Sequence, residues 1–231
     1  TVNNPAPVLG SLSVTEAQAY SDDITLTVTG SGFENGLMAW WTPSGSARQA
    51  LPAPTNVSAG SCTITIPAAM LLRAGAFTVT LENAAPSLGA SAPSTFTVLD
   101  RVPTLTSVTP NPIEALSGNT QITLTGDYFA PSADALWNGV VLTRVSVNRT
   151  TLTATVPASR LTLATVAQIT VQNPAFAGRG GGTSTPAQNL VITNPAPHLT
   201  SLTPAFTVAV TSGTGAVVTL NGTGFMPVSA V

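Results

Sequence analysis

Along much of the chain, apolar and small polar residues alternate with period two. Ile24-Thr25-Leu26-Thr27-Val28-Thr29 does so, and so do Cys62-Thr63-Ile64-Thr65-Ile66, Gln121-Ile122-Thr123-Leu124-Thr125 and Thr151-Leu152-Thr153-Ala154-Thr155-Val156. Successive strand residues point to opposite faces, so each run reads as a strand with one face buried and one Thr-rich face in water. The intervening segments are rich in Pro, Gly, Ser and Asn. The pattern predicts strands over 8–14, 24–30, 37–41, 61–66, 76–81 and 95–99, then over 121–126, 151–156, 167–173 and 189–193, and finally over 199–203 and 216–225. Pro67 to Gly75 and Ala158 to Ala164 each read as a single helical turn. The first has Pro at its start and Gly at its end.

The same grammar is written more than once. Asn4-Pro5-Ala6-Pro7-Val8-Leu9, Arg101-Val102-Pro103-Thr104-Leu105 and Asn194-Pro195-Ala196-Pro197-His198-Leu199 each open a unit. Their spacing of about 95 residues means structural repeats. Phe129 then matches Phe33, and Trp137 matches Trp41, eight residues further on in both units. The expected organisation is the end of a preceding repeat or linker at 1–4, a sandwich at 5–100, a second at 101–194, and the N-terminal part of a third at 195–231. Eight residues beyond Phe225 falls just past Val231. The third unit is therefore expected to be completed by a longer chain or by a neighbour.

These residues resemble the IPT/TIG family of immunoglobulin-like domains. The resemblance is carried by Pro195-Ala196-Pro197-His198-Leu199-Thr200-Ser201-Leu202-Thr203-Pro204 and by a Thr-Gly-x-x-Phe pattern. That pattern stands as Thr29-Gly30-Ser31-Gly32-Phe33, as Thr125-Gly126-Asp127-Tyr128-Phe129, and less strictly as Asn221-Gly222-Thr223-Gly224-Phe225. Trp137-Asn138-Gly139 and Val171-Gln172-Asn173-Pro174 add to it. Trp41-Thr42-Pro43, followed by a longer connection, departs from it in the first unit. The resemblance implies an all-β fold of tandem immunoglobulin-like β-sandwiches in a linear array. It says less about role, since one fold hosts many functions. Family settings include DNA-contacting transcription factors, receptor ectodomains and bacterial surface arrays, and the spacing and Gly-rich tips look most like the last.

Composition narrows the role. Only 7% of residues are charged, the net charge is −2, and all seven basic residues are arginines. Nucleic acid binding needs clustered Lys and Arg, so no nucleic-acid partner is expected. An uncharged Thr/Ser surface instead tolerates contact between copies. No apolar run approaches the ~20 residues of a membrane-spanning helix, so no membrane insertion is expected. The single cysteine, Cys62, lies in an alternating strand and reads as a small buried hydrophobe.

Chemistry is sparse. The one histidine, His198, stands between a linker proline and a strand start, with no nucleophile or acid in its pattern. Gly178 to Thr183 lacks the lysine of a phosphate-binding loop and reads as a flexible hairpin tip. Asp22, Asp23 and Glu34, and Asp127 with Asp134, are too dispersed for a calcium loop and read as turn residues. No catalytic, cofactor-binding or metal residue is therefore assigned, and the expectation is a protein that is not an enzyme. Trp41 and Trp137 read as core, so Trp40 points the other way and is the candidate surface contact. The leading expectation is an extracellular structural repeat, the building block of a cell-surface stalk, fibre or filament. Its partners would be copies of itself or neighbouring repeats. The alternatives are an adhesin or glycan-binding array, and an accessory region of a larger secreted enzyme.

Overall fold

The computed structural model describes residues 3–203, 205 and 217–226. Two β-sandwiches follow one another, each with its own core. In the first, one sheet runs in the order Val8–Leu12, Ile24–Ser31, Ser61–Ile66, Thr55–Ser58. The facing sheet runs Glu16–Gln18, Ser94–Leu99, Gly75–Glu82, Met38–Pro43, Gln49–Ala50. The second sandwich repeats this order. Thr104–Thr109, Thr120–Asp127, Thr151–Val156 and Thr143–Val147 face Ile113–Glu114, Gln188–Thr193, Thr165–Asn173, Asp134–Trp137 and Val140–Val141.

The strand expected over 8–14 is in fact divided. It stops at Leu12, and the chain crosses to the other sheet, where Glu16–Gln18 pairs in parallel with the last strand. The crossing lets one segment close the edges of both sheets. The expected helical turns are short 3-10 turns, Ala68–Met70 and Ala158–Arg160. Each is started by a side-chain acceptor from the neighbouring strand's start in the same sheet, Asp23 Oδ1 for the Ala68 N–H and Asn119 Oδ1 for the Ala158 N–H. Of the third unit, His198–Thr203 pairs with Thr219–Thr223, a shorter second strand than the pattern predicts. Residue 216, where that expected strand begins, lies outside the described residues, as do Thr1, Val2 and residues 227–231.

Trp41 and Trp137 occupy matching places, opposite Val79 and Ile169 in register, and are 1% and 5% exposed. Both are core, as the repeat implied. Around Trp41 the core is aromatic: Phe77 stacks on it at 4.5 Å and Phe96 meets it edge-on at 5.5 Å. The second sandwich has Ala167 and Leu190 in those positions. Cys62 is fully buried opposite Val28, and burial pushes its thiol up to about 11.

The Thr-Gly-x-x-Phe pattern has a steric cause. The first strand of each unit carries a bulge, between Leu9 and Ser11, Leu105 and Ser107, and Leu199 and Ser201. There its backbone presses on the glycine of the next strand. A Cβ on Gly126 would stand inside contact distance of the Thr104 carbonyl oxygen and 2.8 Å from Phe129 Cζ. Gly30 and Gly222 meet Phe33 and Phe225 in the same way, at 2.7 and 2.8 Å. Only glycine lets backbone and ring approach this closely.

A buried asparagine fastens the linker to its sandwich in each of the two complete units. Asn83 donates to the carbonyls of Pro5 and Gly32, both at 2.8 Å, and accepts from the Glu34 N–H. Asn173 donates to the carbonyls of Arg101 and Tyr128 at 2.8 and 2.6 Å and accepts from the Ala130 N–H. Both linkers are thus tied to the residue before the repeated phenylalanine by one amide that is 0% or 2% exposed. The proline linkers read from the sequence are held by this bond pattern as well as by their fixed φ.

Candidate functional site: the junction between the sandwiches

The chain has two tyrosines, and they meet where the sandwiches join. Tyr20 belongs to the first sandwich and Tyr128 to the second, with ring centroids 6.2 Å apart. The Tyr20 hydroxyl donates to the Phe129 carbonyl at 3.2 Å. Both tyrosines sit in the left-handed backbone region, at φ 60° and 62°. That conformation is unfavourable for a residue with a Cβ and persists where surrounding contacts over-determine it. The equivalent places elsewhere hold Leu116 and Gly32, so the tyrosines are particular to this junction.

Two arginines complete the contact. Arg149 pairs with Asp127 through two hydrogen bonds of 2.7 and 3.2 Å, and its guanidinium lies 4.9 Å from the Tyr20 ring and 5.3 Å from Tyr128. Arg101 reaches back to the first sandwich, donating to the Ala19 carbonyl at 2.8 Å and the Ser21 hydroxyl at 3.2 Å, while lying 5.0 Å from the Tyr128 ring. Guanidinium held over an aromatic face is attracted by the ring quadrupole, at roughly 0.5–1 kcal/mol per exposed contact. The Arg149 hydrogen bond holds the Asp127 carboxyl below its ordinary range. Burial, and then the Asp100 charge, push the Tyr20 phenol above its ordinary value.

The glycine run 178–183 is the other half of the joint. Gly181 N–H donates to the Asp100 carbonyl at 2.6 Å, and Arg179 pairs with Glu16 of the first sandwich. A Cβ on Gly180 would stand 2.8 Å from both the Asp100 carbonyl oxygen and Leu99 Cβ. The sequence reading of this run as a flexible tip is corrected: it is docked against the neighbouring sandwich. Its glycines are needed for close approach and for φ of +64° and +65°. Sequence reasoning missed the joint, because both tyrosines and three of the seven arginines, Arg101, Arg149 and Arg179, are brought there from positions far apart in the chain.

The remaining candidate residues are placed elsewhere. Trp40 is half-buried, opposite Ala50 and Thr80, with the Arg48 guanidinium 4.0 Å from its ring centroid and Arg48 paired to Glu82 at 3.0 Å. Its buried indole N–H has no acceptor among the described residues. His198 is exposed and lies opposite Thr223 at the start of its strand. Asp127 and Asp134 pair with Arg149 and Arg144, and Asp23 starts a 3-10 turn. Among the described residues no three His, Cys, Asp or Glu side chains gather, and no helix is long and apolar enough to cross a membrane.

Residues 103–188 match the family model described as IPT/TIG domain. No curated protein matches the chain in sequence. Among solved structures, the chain is similar to the surface glycan-binding protein PbSGBP-B from Prevotella bryantii, with a TM-score of 0.50 and 16% identity over 79% of this chain and 41% of that one. It is also similar to the Yersinia pseudotuberculosis adhesin InvE, with a TM-score of 0.47 and 17% identity over 79% of this chain and 58% of that one. Titin Ig tandem domains A164-A165 align with a TM-score of 0.42 and 12% identity over 81% and 97% of the two chains. The chain thus spans about half the length of the two bacterial proteins. The likeness to PbSGBP-B, at this identity, speaks to fold alone, and that fold agrees with the two sandwiches described above. The second sandwich thus matches the IPT/TIG domain family, and the chain is a tandem array of immunoglobulin-like β-sandwiches.

Proposed function

We propose that this chain is a non-enzymatic structural repeat of an extracellular protein, a building block of a cell-surface stalk, fibre or filament. The observation that carries the reading is the joint between the sandwiches. Two tyrosines, the Arg149–Asp127 pair, Arg101 and the docked glycine run 178–183 hold one sandwich against the next through side-chain and backbone contacts that cross the joint. A chain of independent binding modules needs only a tether, whereas a rod must resist bending at every joint. The Thr-rich, nearly uncharged surface adds support, because it offers little repulsion to a neighbouring copy.

Residual dipolar couplings measured on the 231-residue chain test this directly. A rigid joint gives one alignment tensor for both sandwiches. Replacing Tyr20 and Arg149 with alanine is expected to separate the tensors while leaving each sandwich folded. Two independent tensors in the unaltered chain would overturn the reading.

A further inference from the structure

A cleft of about 340 Å³ opens in the first sandwich between the start of its long connection and its 3-10 turn. Trp41 and Phe77 form its floor, Met70 and Leu72 one wall, and Ser46, Gln49 and Arg73 its polar rim. A second hollow of about 240 Å³ adjoins it, sharing Pro43, Ser46 and Phe77. The size falls within the range of roughly 300–1,000 Å³ usual for small-ligand sites.

The second sandwich shows that the cleft is not a requirement of the fold. Met70 ends the turn Ala68–Met70, and the residue ending the matching turn Ala158–Arg160 is Arg160. Arg160 lies across Trp137 at 5.8 Å from its ring centroid and donates to the Trp137 carbonyl at 3.4 Å. There the following hairpin is also tight, Asn138 and Gly139 joining Asp134–Trp137 to Val140–Val141. In the first sandwich the arginine is replaced by methionine and the hairpin is longer.

The polar groups of the rim are exposed and not engaged by the rest of the protein. Six of the seven arginines are engaged: Arg48, Arg144, Arg149 and Arg179 in ion pairs, and Arg101 and Arg160 in hydrogen bonds to carbonyls. Among the described residues Arg73 makes no hydrogen bond, ion pair or ring contact, and the side chains of Ser46 and Gln49 make no hydrogen bond. A guanidinium fork free to take a carboxylate therefore stands beside an apolar wall and two uncharged polar groups. A hexuronic acid has matching parts: a C–H face for Met70, Leu72 and Phe77, hydroxyls for Ser46 and Gln49, and a carboxylate for Arg73.

We propose that this cleft binds an acidic saccharide, with Arg73 holding the uronate carboxylate. The site stands apart from the structural role proposed above, and its failure would leave that role untouched. The test is an NMR titration of the whole chain with digalacturonic acid, with digalactose-type neutral sugar and a short Asp-containing peptide as controls. The expected result is saturable shifts at the Trp41 indole, Phe77 and Gln49, with a Kd on the order of 1 mM or tighter, in the regime of weak single-site binding. Arg73→Gln is expected to abolish the preference for the acidic over the neutral sugar. Met70→Arg, which installs the residue that closes the second sandwich, is expected to weaken binding at least tenfold. A thermal melt of each variant establishes that it is folded. Absence of shifts at the cleft in the unaltered chain overturns the proposal. So does equal binding of the neutral sugar or the peptide, or undiminished binding by a folded Arg73→Gln chain.

Discussion

Asn83 and Asn173 make the same three hydrogen bonds in successive sandwiches, each joining a linker carbonyl, the carbonyl before the repeated phenylalanine and the N–H after it. The linker is therefore part of the sandwich it enters. What remains to be held at the joint is the upstream side, where Leu99 and Asp100 leave the preceding strand, and there the Gly181 N–H holds the Asp100 carbonyl.

Removing this amide leaves a buried N–H and two carbonyls without partners. Asn173→Ala is expected to lower the stability of the second sandwich by about 3 kcal/mol, since each stranded buried group costs about 1–3 kcal/mol and the cavity admits some water. Asn173→Asp should be worse, because a carboxylate cannot donate to Arg101 and Tyr128. Urea melts of the two variants check the order; equal losses would mean that the donated bonds contribute little.

The glycine run is expected to tolerate no side chain at its docked positions. Gly180→Ala brings a Cβ to 2.8 Å from Asp100 and Leu99 while holding a non-glycine residue at φ +64°. A left-handed conformation at such a residue costs about 1–3 kcal/mol. The loop should lift from the first sandwich, exposing the Gly181 N–H that Asp100 accepts. Amide exchange at Gly181 is expected to accelerate at least tenfold, with exchange in the strand Thr151–Val156 unchanged.

The joint should respond to pH in two opposite ways. Asp127 has a lowered pKa, chiefly through its hydrogen bond to Arg149, so its contribution is present above the unfolded value and lost as pH falls through the lowered one. Asp100 is 5% exposed and its pKa is raised, chiefly by burial. Its carboxyl favours the fold below the unfolded value, and that advantage is lost as pH rises through the raised one. Asp100→Asn keeps an acceptor for the Ala74 N–H without the buried charge. The variant is expected to melt at or above the unaltered temperature at pH 7, with the difference vanishing toward pH 3. A lower melting temperature at pH 7 would show that the ionised carboxylate is itself needed.

Much of the strand plan was legible because alternation with period two follows from the pleat alone. Trp41 and Trp137 could be assigned to the core from their matched distance to Phe33 and Phe129, which fixes register and hence face. The break between Leu12 and Glu16 was not legible, because whether an apolar run stays in one sheet depends on which edges need covering. The run 178–183 misled for a related reason: glycines that free a loop and glycines that let a backbone come close are written with the same letter.

The sequence by itself determined the repeat, the alternating strands, the buried tryptophans and the uncharged surface, all of which depend on residues near one another in the chain. Only the tertiary structure decided that Tyr20 would meet Tyr128, that Arg149 would lie over both, and that Met70 would leave open the space that Arg160 closes in the second sandwich. Those outcomes depend on how two sheets stack and how one sandwich sits on the next. Such contacts join residues as far apart as Tyr20 and Phe129, and no local periodicity encodes them.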